Sequence, residues 1–488
     1  MGVCLMYGSW RLAMTSVIAI DQGTTGSKAY RLDGQGRFES LGGFEHRQIY
    51  PRPGWVEHDG KELLEHLTRL IERAGDAAAL GIDNQGETVV AWDGASGEPL
   101  GNAIVWQDAR TLPLTEKLKA EGAEMLTIAR AGLPLDPYFS ASKLKWILDE
   151  LPEAKRLLAK GRLRLGTSDS FFLDRLAGVY ATDVTTASRT SLMNLATGQW
   201  DPELCRLFGI PLEILPEIRP TAGDFGSIGR LPIRASLVDQ QAALFGHGCR
   251  RPGQAKITFG TGAFALAVTA RDVAPAEAQG MNRSIAWRLG GGPLVYALEG
   301  GLYNAASAVN WARGLGLFSE FAEIDGFTGP SALERGLVFV PALSGLSVPY
   351  WDRNAAGLWL GMGLETTRVD MMQALLEGIA LLAAELVAAM DRAAPLSGPI
   401  SIDGGLSNNA YFCDFLARVL ERPVQVPGSA ELTGLGAAQM AMIGAGLATL
   451  ETLPPAAAAR RLAAPGAPFD PATRAYFAEA VARARNWR

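Results

Sequence analysis

The strongest constraint on the fold is a short pattern that recurs about half a chain apart. Residues 16–34, SVIAIDQGTTGSKAYRLDG, read as strand, glycine–threonine turn and strand, and residues 254–270, QAKITFGTGAFALAVTA, read the same way. Gly23 and Gly260 of these turns stand 237 positions apart in a chain of 488 residues. Apolar and β-branched residues on both sides of a tight glycine turn predict a β-hairpin. We therefore predict two similar halves, each presenting a hairpin towards a shared cleft.

Strand-like and helix-like segments alternate within the halves. Residues 78–93 and 336–343 are rich in apolar and β-branched residues, whereas residues 140–159 carry a helical pattern. This alternation predicts an α/β fold with helices packed on sheets. The length of 488 residues is sufficient for two or more domains that each bury a core.

The polar, glycine-bearing stretch at residues 246–254 is the natural boundary between the halves. We divide the chain into an N-terminal extension at residues 1–13, a first domain at residues 14–248 and a second domain at residues 249–488. The extension precedes the first core strand and lacks the pattern of a signal peptide, which makes Met14 a plausible start.

Charge and cysteine content narrow the function classes. A formal net charge of -6 and a pI of about 5.5 do not indicate the excess of basic charge that nucleic-acid binding requires, and we expect no such partner. The four cysteines are scattered without a CxxC pair, which favours reduced thiols in a cytoplasmic protein over disulfides or zinc.

The most apolar run of the chain, residues 374–390, is interrupted by Glu377 and Glu385. It follows Thr367 and Asp370, which have the spacing of a capping box. These features predict a buried helix with a capped start and no membrane insertion.

The glycine–threonine turns fit a site for phosphate. Gly23 and Gly26 leave backbone N–H groups open to a ligand, and the hydroxyl groups of Thr24 and Thr25 add donors. Each turn alone is more simply a tight turn, and the ordinary P-loop pattern is absent from the sequence. Because the turn occurs in equivalent contexts in both halves, we favour phosphate binding.

Two aspartates follow apolar strands and suggest the chemistry. Asp21 would face the negative phosphates, so we expect Mg²⁺ between them, although a turn aspartate is the simpler alternative. Asp239 follows a short apolar run and opens a helix-like segment. It is either a helix cap or a base that takes a proton from an attacking hydroxyl group.

Two further polar stretches are candidates for ligand contacts. Residues 400–409, ISIDGGLSNN, run from a strand into Asp-Gly-Gly, which permits close approach of a flat ligand or forms only a capped turn. Asn84, Gln85 and Glu87 lie at a predicted strand turn, where they hold substrate hydroxyl groups or are simply solvated.

The sequence as a whole resembles the FGGY carbohydrate kinases, from Met14 to about Gly446. YFSASKLKWILDE, residues 138–150, and GLWLGMGLETTRVDMMQALLE, residues 357–377, are each similar to one of the family's two diagnostic patterns. Within the family the chain is most similar to the glycerol kinases. The resemblance implies two ribonuclease-H-like domains of the actin and sugar-kinase superfamily around a deep cleft. It also implies ATP-dependent transfer of the γ-phosphoryl group to a small polyol, with glycerol as the first expectation.

The resemblance also assigns expected roles to individual residues. Asp239 is expected to be the general base and Asp21 the magnesium-associated carboxylate. The expected contacts to the nucleotide come from Thr24, Thr25, Lys28, Gly260, Thr261, Asn310, Gly405 and Asn409. The expected contacts to the acceptor come from Glu87, Trp106, Tyr138, Gln240 and Phe264.

One departure from the family pattern affects the acceptor. The glycerol kinases have Arg-Glu where this chain has Gly86-Glu87, and the change removes up to five donors for polyol oxygens. Either acceptor binding is weakened, or the vacated space admits a longer or differently substituted acceptor, which would be another polyol or a sugar such as a tetritol, a pentitol or a ketose.

The alternative from another functional class is an ATP-driven switch, because actin and the heat-shock chaperones share this architecture. Related kinases form homodimers or homotetramers, and nothing in the sequence fixes an interface.

Overall fold

The computed structural model describes residues 15–454 and 458–488, so the proposed extension and Met14 lie outside the described residues. The described chain forms two compact units. The first contains residues 15–250, 283–296 and 431–454, and the second contains the remainder. The units therefore change close to the boundary at residue 248 predicted from the sequence, but two later segments return to the first unit.

The first unit contains a six-stranded sheet of order β13-β14-β5-β1-β2-β3, a four-stranded sheet of order β4-β7-β6-β8 and two strand pairs. Its strands are β1 Val17–Gln22, β2 Gly26–Leu32, β3 Phe38–Glu45, β4 Glu57–His58, β5 Ala79–Asn84, β6 Val89–Asp93, β7 Ala103–Ile104, β8 Leu163–Thr167, β9 Ala181–Asp183, β10 Met193–Asn194, β11 Gln199–Trp200, β12 Glu217–Arg219, β13 Ser227–Ile228 and β14 Leu231–Val238. Its helices are α1 Gly60–Ala74, α2 Leu112–Ala120, α3 Glu124–Ala131, α4 Ser140–Glu150, α5 Pro152–Ala159, α6 Ser168–Ala177, α7 Val184–Ala187, α8 Pro202–Phe208 and α9 Asp239–Gly246, with a 3₁₀ turn at Leu212–Ile214.

The rest of the chain contributes a seven-stranded sheet of order β17-β18-β16-β15-β21-β22-β23 and the pair β19-β20. The strands are β15 Ala255–Phe259, β16 Ala263–Thr269, β17 Asn282–Arg288, β18 Leu294–Leu302, β19 Val338–Val340, β20 Leu358–Leu360, β21 Ile400–Gly404, β22 Val424–Val426 and β23 Arg461–Ala463. The helices are α10 Ala306–Gly314, α11 Arg368–Ala393, α12 Ala410–Leu420, α13 Leu432–Gly444 and α14 Pro471–Ala484, with 3₁₀ turns at Phe321–Ile324 and Gly405–Asn408. Helix α13 belongs to the first unit.

Both predicted hairpins are confirmed. Strands β1 and β2 pair in antiparallel register, and so do β15 and β16. The helical run predicted at residues 140–159 forms α4 and α5, because Leu151 is extended before Pro152 and the chain restarts there.

Helix α11 is the capped, buried helix that the sequence predicts. Thr367 and Asp370 form a complete capping box. Among the described residues, α11 is the helix long and apolar enough to cross a membrane by length and composition, and 78% of its most apolar stretch is buried inside the protein. Its side chains belong to the main apolar core of the second unit.

The sheet of the first unit is parallel at its centre. Strand β5 lies between β1 and β14 and pairs with both in parallel register. All six residues of β5 are buried, as expected of a strand covered on both faces. The carboxyl ends of the three strands therefore meet at one edge of the sheet.

Helices α9 and α13 cross at glycine residues. A Cβ atom added at Gly436 would overlap the carbonyl oxygen of Ala242, and one added at Gly246 would overlap that of Leu432. The backbones approach closely only because both positions lack a side chain. The crossing fixes α9, which begins at Asp239.

We expect Gly436→Ala to lower the free energy of unfolding by about 3 kcal/mol, because the new methyl group forces α9 and α13 apart. Urea unfolding measures the change. Gly314→Ala is the control, because a Cβ there meets nothing within 4 Å and we expect no destabilisation. Equal effects of the two substitutions would contradict a close crossing.

Candidate active site

Three carboxyl groups gather at the carboxyl ends of β1, β5 and β14. Asp21 of β1 lies directly opposite Asp83 of β5. Val238 of β14 lies opposite Asn84, so Asp239 follows at the same edge as the first residue of α9. The parallel register therefore brings together residues that are far apart in the sequence.

The Asp83 carboxyl group interacts with both of the others. Burial raises the pKa of Asp21 to about 6, and the neighbouring groups Asp83 and Lys28 lower it less. Burial, followed by the charges of Asp21 and Asp239, raises the pKa of Asp83 well above its ordinary range. Both oxygens of the fully buried Asp83 carboxyl group lack a partner among the other described residues, and its hydrogen bond is with the Asp21 carboxyl group. Such a group is unfavourable unless a cation or a proton reaches it.

Lys28 lies opposite Asp21 across the first hairpin, but its charge is shared. Its Nζ atom is 3.1 Å from one carboxylate oxygen of Glu431 and 3.2 Å from the other. The hydroxyl group of Tyr30 donates to the same carboxylate at 2.6 Å. Because Lys28 pairs with Glu431, its positive charge offsets only part of the negative charge of the three aspartates.

Residues outside the first hairpin hold its turn in place through hydrogen bonds. The indole N–H of Trp106 donates to the Thr24 hydroxyl oxygen at 2.9 Å, and the Gln48 amide donates to the Thr24 carbonyl oxygen at 2.9 Å. The backbone N–H of His46 donates to the Thr25 carbonyl oxygen at 2.9 Å. A Cβ at Gly26 would lie 2.7 Å from the Phe44 carbonyl oxygen, which explains the glycine there.

Three of the predicted acceptor residues, Glu87, Trp106 and Tyr138, are connected by a series of contacts that includes a buried ion pair. The Nε atom of Arg189 lies 2.6 Å from a carboxylate oxygen of Glu87, and the two side chains are 3% and 4% exposed. The rings of Trp106 and Tyr138 meet edge to face, with centroids 5.6 Å apart. The Arg189 guanidinium lies 5.7 Å from the centre of the Tyr138 ring. Glu87 itself has a positive φ of 57°, a conformation uncommon for a residue with a side chain.

The buried side chain of Lys143 holds the backbone at Tyr138. Its Nζ atom donates to the Tyr138 carbonyl oxygen at 2.5 Å. Burial lowers the pKa of Lys143 to about 7, although Glu87 and Asp108 act in the opposite direction. The lysine therefore positions the aromatic residue from within the core.

The structure fills the space beside Gly86. A Cβ atom at Gly86 would lie 2.7 Å from Cγ2 of Val238. The room for a longer acceptor that the sequence suggested is therefore already taken next to the backbone of Gly86. Arg189 is the guanidinium that contacts Glu87 in this chain.

In the second unit, Gly260 and Thr261 form the turn between β15 and β16. The Gly260 carbonyl oxygen accepts a hydrogen bond from the Ala306 N–H at 3.0 Å, and the Thr261 carbonyl oxygen accepts from the Ala305 N–H at 2.9 Å. The turn is thereby tied to the start of α10. Phe264 follows in β16 and is 44% exposed.

Three predicted nucleotide contacts line one cavity of the second unit. Asn310, Gly405 and Asn409 surround a volume of about 640 Å³ together with Ala306 and Ile324. This volume lies within the usual range for small-molecule sites. The Asn409 side chain is already used, because its oxygen accepts from the Phe412 N–H at 2.7 Å and its nitrogen donates to the Ile324 carbonyl oxygen at 2.6 Å.

Another cavity of the second unit, about 870 Å³, holds none of the predicted site residues. Arg422 and Asp391 in its lining form an ion pair at 3.2 Å. We therefore assign the smaller cavity, rather than this one, to the candidate site.

Sequence reasoning missed Asp83, Arg189 and Glu431. A signal for Asp83 was present, since IAID at residues 18–21 and LGID at residues 80–83 end in the same way. Arg189 and Glu431 carried no comparable local signal, because their partners are distant in the sequence.

We expect Asp21→Asn to stabilise the protein in the absence of metal and nucleotide, at a cost to metal binding. The pKa of Asp21 is raised to about 6 in the folded state, so its ionisation opposes folding as the pH rises from about 4 through 6. The gain from Asn should be small at pH 4.5 and reach about 3 kcal/mol at pH 8.

Urea unfolding in a chelating buffer across this pH range measures the gain. Asp76→Asn removes an exposed carboxylate as the control, and we expect little change from it. A variant less stable than the parent at pH 8 would refute an unfavourable burial of the Asp21 charge.

Comparison with known proteins places these features in one family. Residues 16–246 match the N-terminal domain, and residues 255–445 the C-terminal domain, of the FGGY family of carbohydrate kinases. The chain is 42% identical over 452 residues to a glycerol kinase of Geobacter sp. (strain M21), covering 89% of this chain and 91% of the relative. It is 40% identical over 448 residues to a glycerol kinase of Deinococcus radiodurans, covering 88% and 89%.

Solved structures agree with the sequence relatives. The crystal structure of a Plasmodium falciparum glycerol kinase with ADP matches with a TM-score of 0.89 at 30% identity, covering 96% of this chain and 98% of that one. A xylulose kinase from Rhodospirillum rubrum shares the fold, with a TM-score of 0.81 at 24% identity and coverages of 96% and 97%. The two-domain α/β sugar-kinase fold predicted from the sequence is confirmed, and the chain belongs to the FGGY family of carbohydrate kinases.

Proposed function

We propose that this kinase transfers the γ-phosphoryl group of ATP to glycerol and forms glycerol 3-phosphate. The observation that carries the proposal is the match to glycerol kinases at 40–42% identity over 88–89% of the chain. The ADP in the Plasmodium falciparum structure supports an adenine nucleotide as the donor.

Asp239 is the proposed general base. As the first residue of α9, it follows the carboxyl end of β14 at the sheet edge where Asp21 and Asp83 also lie. The acceptor hydroxyl group gives its proton to Asp239 while its oxygen attacks the γ-phosphorus. The bond to the bridging oxygen breaks, and ADP leaves.

The proposed magnesium site consists of Asp21, with Asp83 as its neighbour. Carboxylate oxygens are ligands that Mg²⁺ accepts, and a single ion there would offset the unfavourable burial of the two carboxyl groups. When bound, Mg²⁺ neutralises charge on the phosphates of the nucleotide. Asp239 at the same sheet edge is then left to meet the acceptor hydroxyl group.

The acceptor site is proposed to consist of the five residues assigned by the resemblance. Glu87 accepts from polyol hydroxyl groups, and its ion pair with Arg189 fixes the direction of its carboxylate. Trp106 and Tyr138 form an apolar wall for the carbon chain. Gln240 and Phe264 complete the proposed set.

For the nucleotide, we propose one set of contacts in each unit. Thr24, Thr25 and Lys28 would contact phosphates from the first unit, and Gly260 and Thr261 from the second. The nucleoside would lie along the cavity lined by Asn310, Gly405 and Asn409. Since the Asn409 side chain caps α12, we propose that its backbone rather than its amide meets the ligand.

Three further expectations accompany the proposal. Residues 14–248 would carry the acceptor and metal groups, and residues 249–488 most of the nucleotide contacts. The enzyme would work in the cytoplasm, with a small polyol as its substrate partner. A homodimer or a homotetramer is the assembly expected from the resemblance.

We expect Asp239→Asn to lower kcat for glycerol by about 10³-fold, because the hydroxyl group loses its proton acceptor. Affinity for ADP, measured by calorimetry, should stay within a factor of about two. Asp149→Asn on α4 is the control with ordinary activity.

Loss of nucleotide binding together with turnover would assign Asp239 a structural role. If neither glycerol nor another polyol stimulates ADP release by the parent enzyme, the ATP-driven switch becomes the better explanation.

We expect Gly86→Ala to lower kcat/KM for glycerol at least tenfold, because the new methyl group collides with Val238. The double variant Gly86→Ala/Val238→Ala should recover most of the loss, since the second change restores the space. Steady-state kinetics with glycerol and a four-carbon polyol measure all four members of the cycle.

Additive effects of the two substitutions would show that the contact is unimportant for the acceptor. Turnover of the four-carbon polyol equal to or better than that of glycerol in the parent enzyme would displace glycerol as the substrate.

A further inference from the structure

A cluster of histidine and carboxylate side chains lies behind the first hairpin and has no part in the proposed reaction. His46 follows β3 directly, and Glu62 and His66 stand one turn apart on α1. One potential ligand atom from each of the three residues lies within 4.8 Å of the other two. All three belong to the first unit.

The two imidazole rings approach through nitrogen atoms. Nδ1 of His46 is 3.1 Å from Nδ1 of His66. If both nitrogen atoms carried a proton, they would repel each other. A single proton or a single cation must therefore lie between them. Two imidazole nitrogens on one tetrahedral zinc ion lie roughly 3.3 Å apart, given bonds of about 2.0–2.1 Å. The observed separation fits either one proton or one metal ion.

The second ring nitrogen of His46 has a partner of the kind found at metal-binding histidines. Its Nε2 atom is 3.1 Å from the Ser27 hydroxyl oxygen, so the ring can donate there and leave Nδ1 as a lone pair. A metal-binding histidine usually donates its second N–H to such a partner.

Glu62, the third candidate ligand, is held in position and is open to solvent. Glu62 and His66 have the i, i+4 spacing that places both side chains on one face of α1. The backbone N–H of Arg47 donates to one Glu62 oxygen at 2.9 Å, which fixes the carboxylate. Glu62 and His66 are partly exposed, so an ion can enter from solvent.

We propose that His46, Glu62 and His66 form a binding site for a divalent transition-metal ion, with zinc as the preferred occupant. Two imidazoles and one carboxylate are donors that suit zinc better than magnesium. Three protein ligands leave the fourth tetrahedral position to water. The ion joins α1 to the segment that holds the turn of the first hairpin, because the His46 N–H donates to the Thr25 carbonyl oxygen.

The test uses the full-length protein after removal of metal with a chelator, followed by dialysis. Zinc is titrated in the presence of excess Mg²⁺, which competes for sites made only of oxygen atoms and not for imidazole. Bound zinc per chain is measured by elemental analysis after equilibrium dialysis. Co²⁺ serves as a second probe through the visible absorption of its tetrahedral complexes.

We expect one zinc ion per chain and a rise in Tm on zinc addition. His66→Gln and Glu62→Gln should each weaken zinc binding at least tenfold and abolish the cobalt absorption. Glu65→Gln is the matched control, because it removes the same charge from an exposed position of α1, and it should bind zinc like the parent. Far-ultraviolet circular dichroism shows whether each variant is folded, and the two ligand variants test the site independently.

Less than one tenth of a zinc ion per chain in the parent would overturn the proposal and assign the 3.1 Å contact to a shared proton. Zinc affinity unchanged in both ligand variants would equally overturn it, because the ion would then bind elsewhere. Both results leave the proposed kinase activity untouched, since the cluster takes no part in it.

Discussion

The parallel pairing of β1, β5 and β14 is the constraint on which the candidate site depends. Parallel strands end at the same edge of a sheet, and here each end carries a carboxyl group. A one-residue slip between β1 and β5 would turn Asp21 to the opposite face from Asp83. The buried side chains of both strands oppose that slip, because each would move to the other face, into closely packed space that another side chain occupies. The same hydrophobic register that stabilises the sheet therefore sets the distances between the charges.

The concentration of negative charge has a cost that only a ligand offsets. Burial raises the pKa values of Asp21 and Asp83, and Lys28 is shared with Glu431 instead of being free to pair with them. A fold selected for stability alone would place apolar or amide side chains there. We infer that the unfavourable charge is kept because binding of the metal-bound nucleotide offsets it. The affinity for the nucleotide is therefore linked to the instability of the empty site.

Local patterns predicted the local structure, and long-range pairing supplied the rest. The capping box at Thr367 and Asp370 and both glycine–threonine hairpins follow from residues only a few positions apart, so the sequence was sufficient for them. The pair of Lys28 with Glu431 joins residues 403 positions apart, and no periodicity in either segment indicates it. The return of residues 431–454 to the first unit is of the same kind. The roles of individual site residues came from the family resemblance and stay predictions.

The acceptor region shows how a change at one position is absorbed by its neighbours. The sequence alone suggested that Gly86 either weakens acceptor binding or opens space. The structure shows Val238 against the glycine and a buried Arg189 on Glu87. Val238 immediately precedes Asp239, so a side chain at position 86 would press on the strand end that positions the proposed base. Gly86 and Val238 therefore act as one unit, and the size of the acceptor that fits depends on both together.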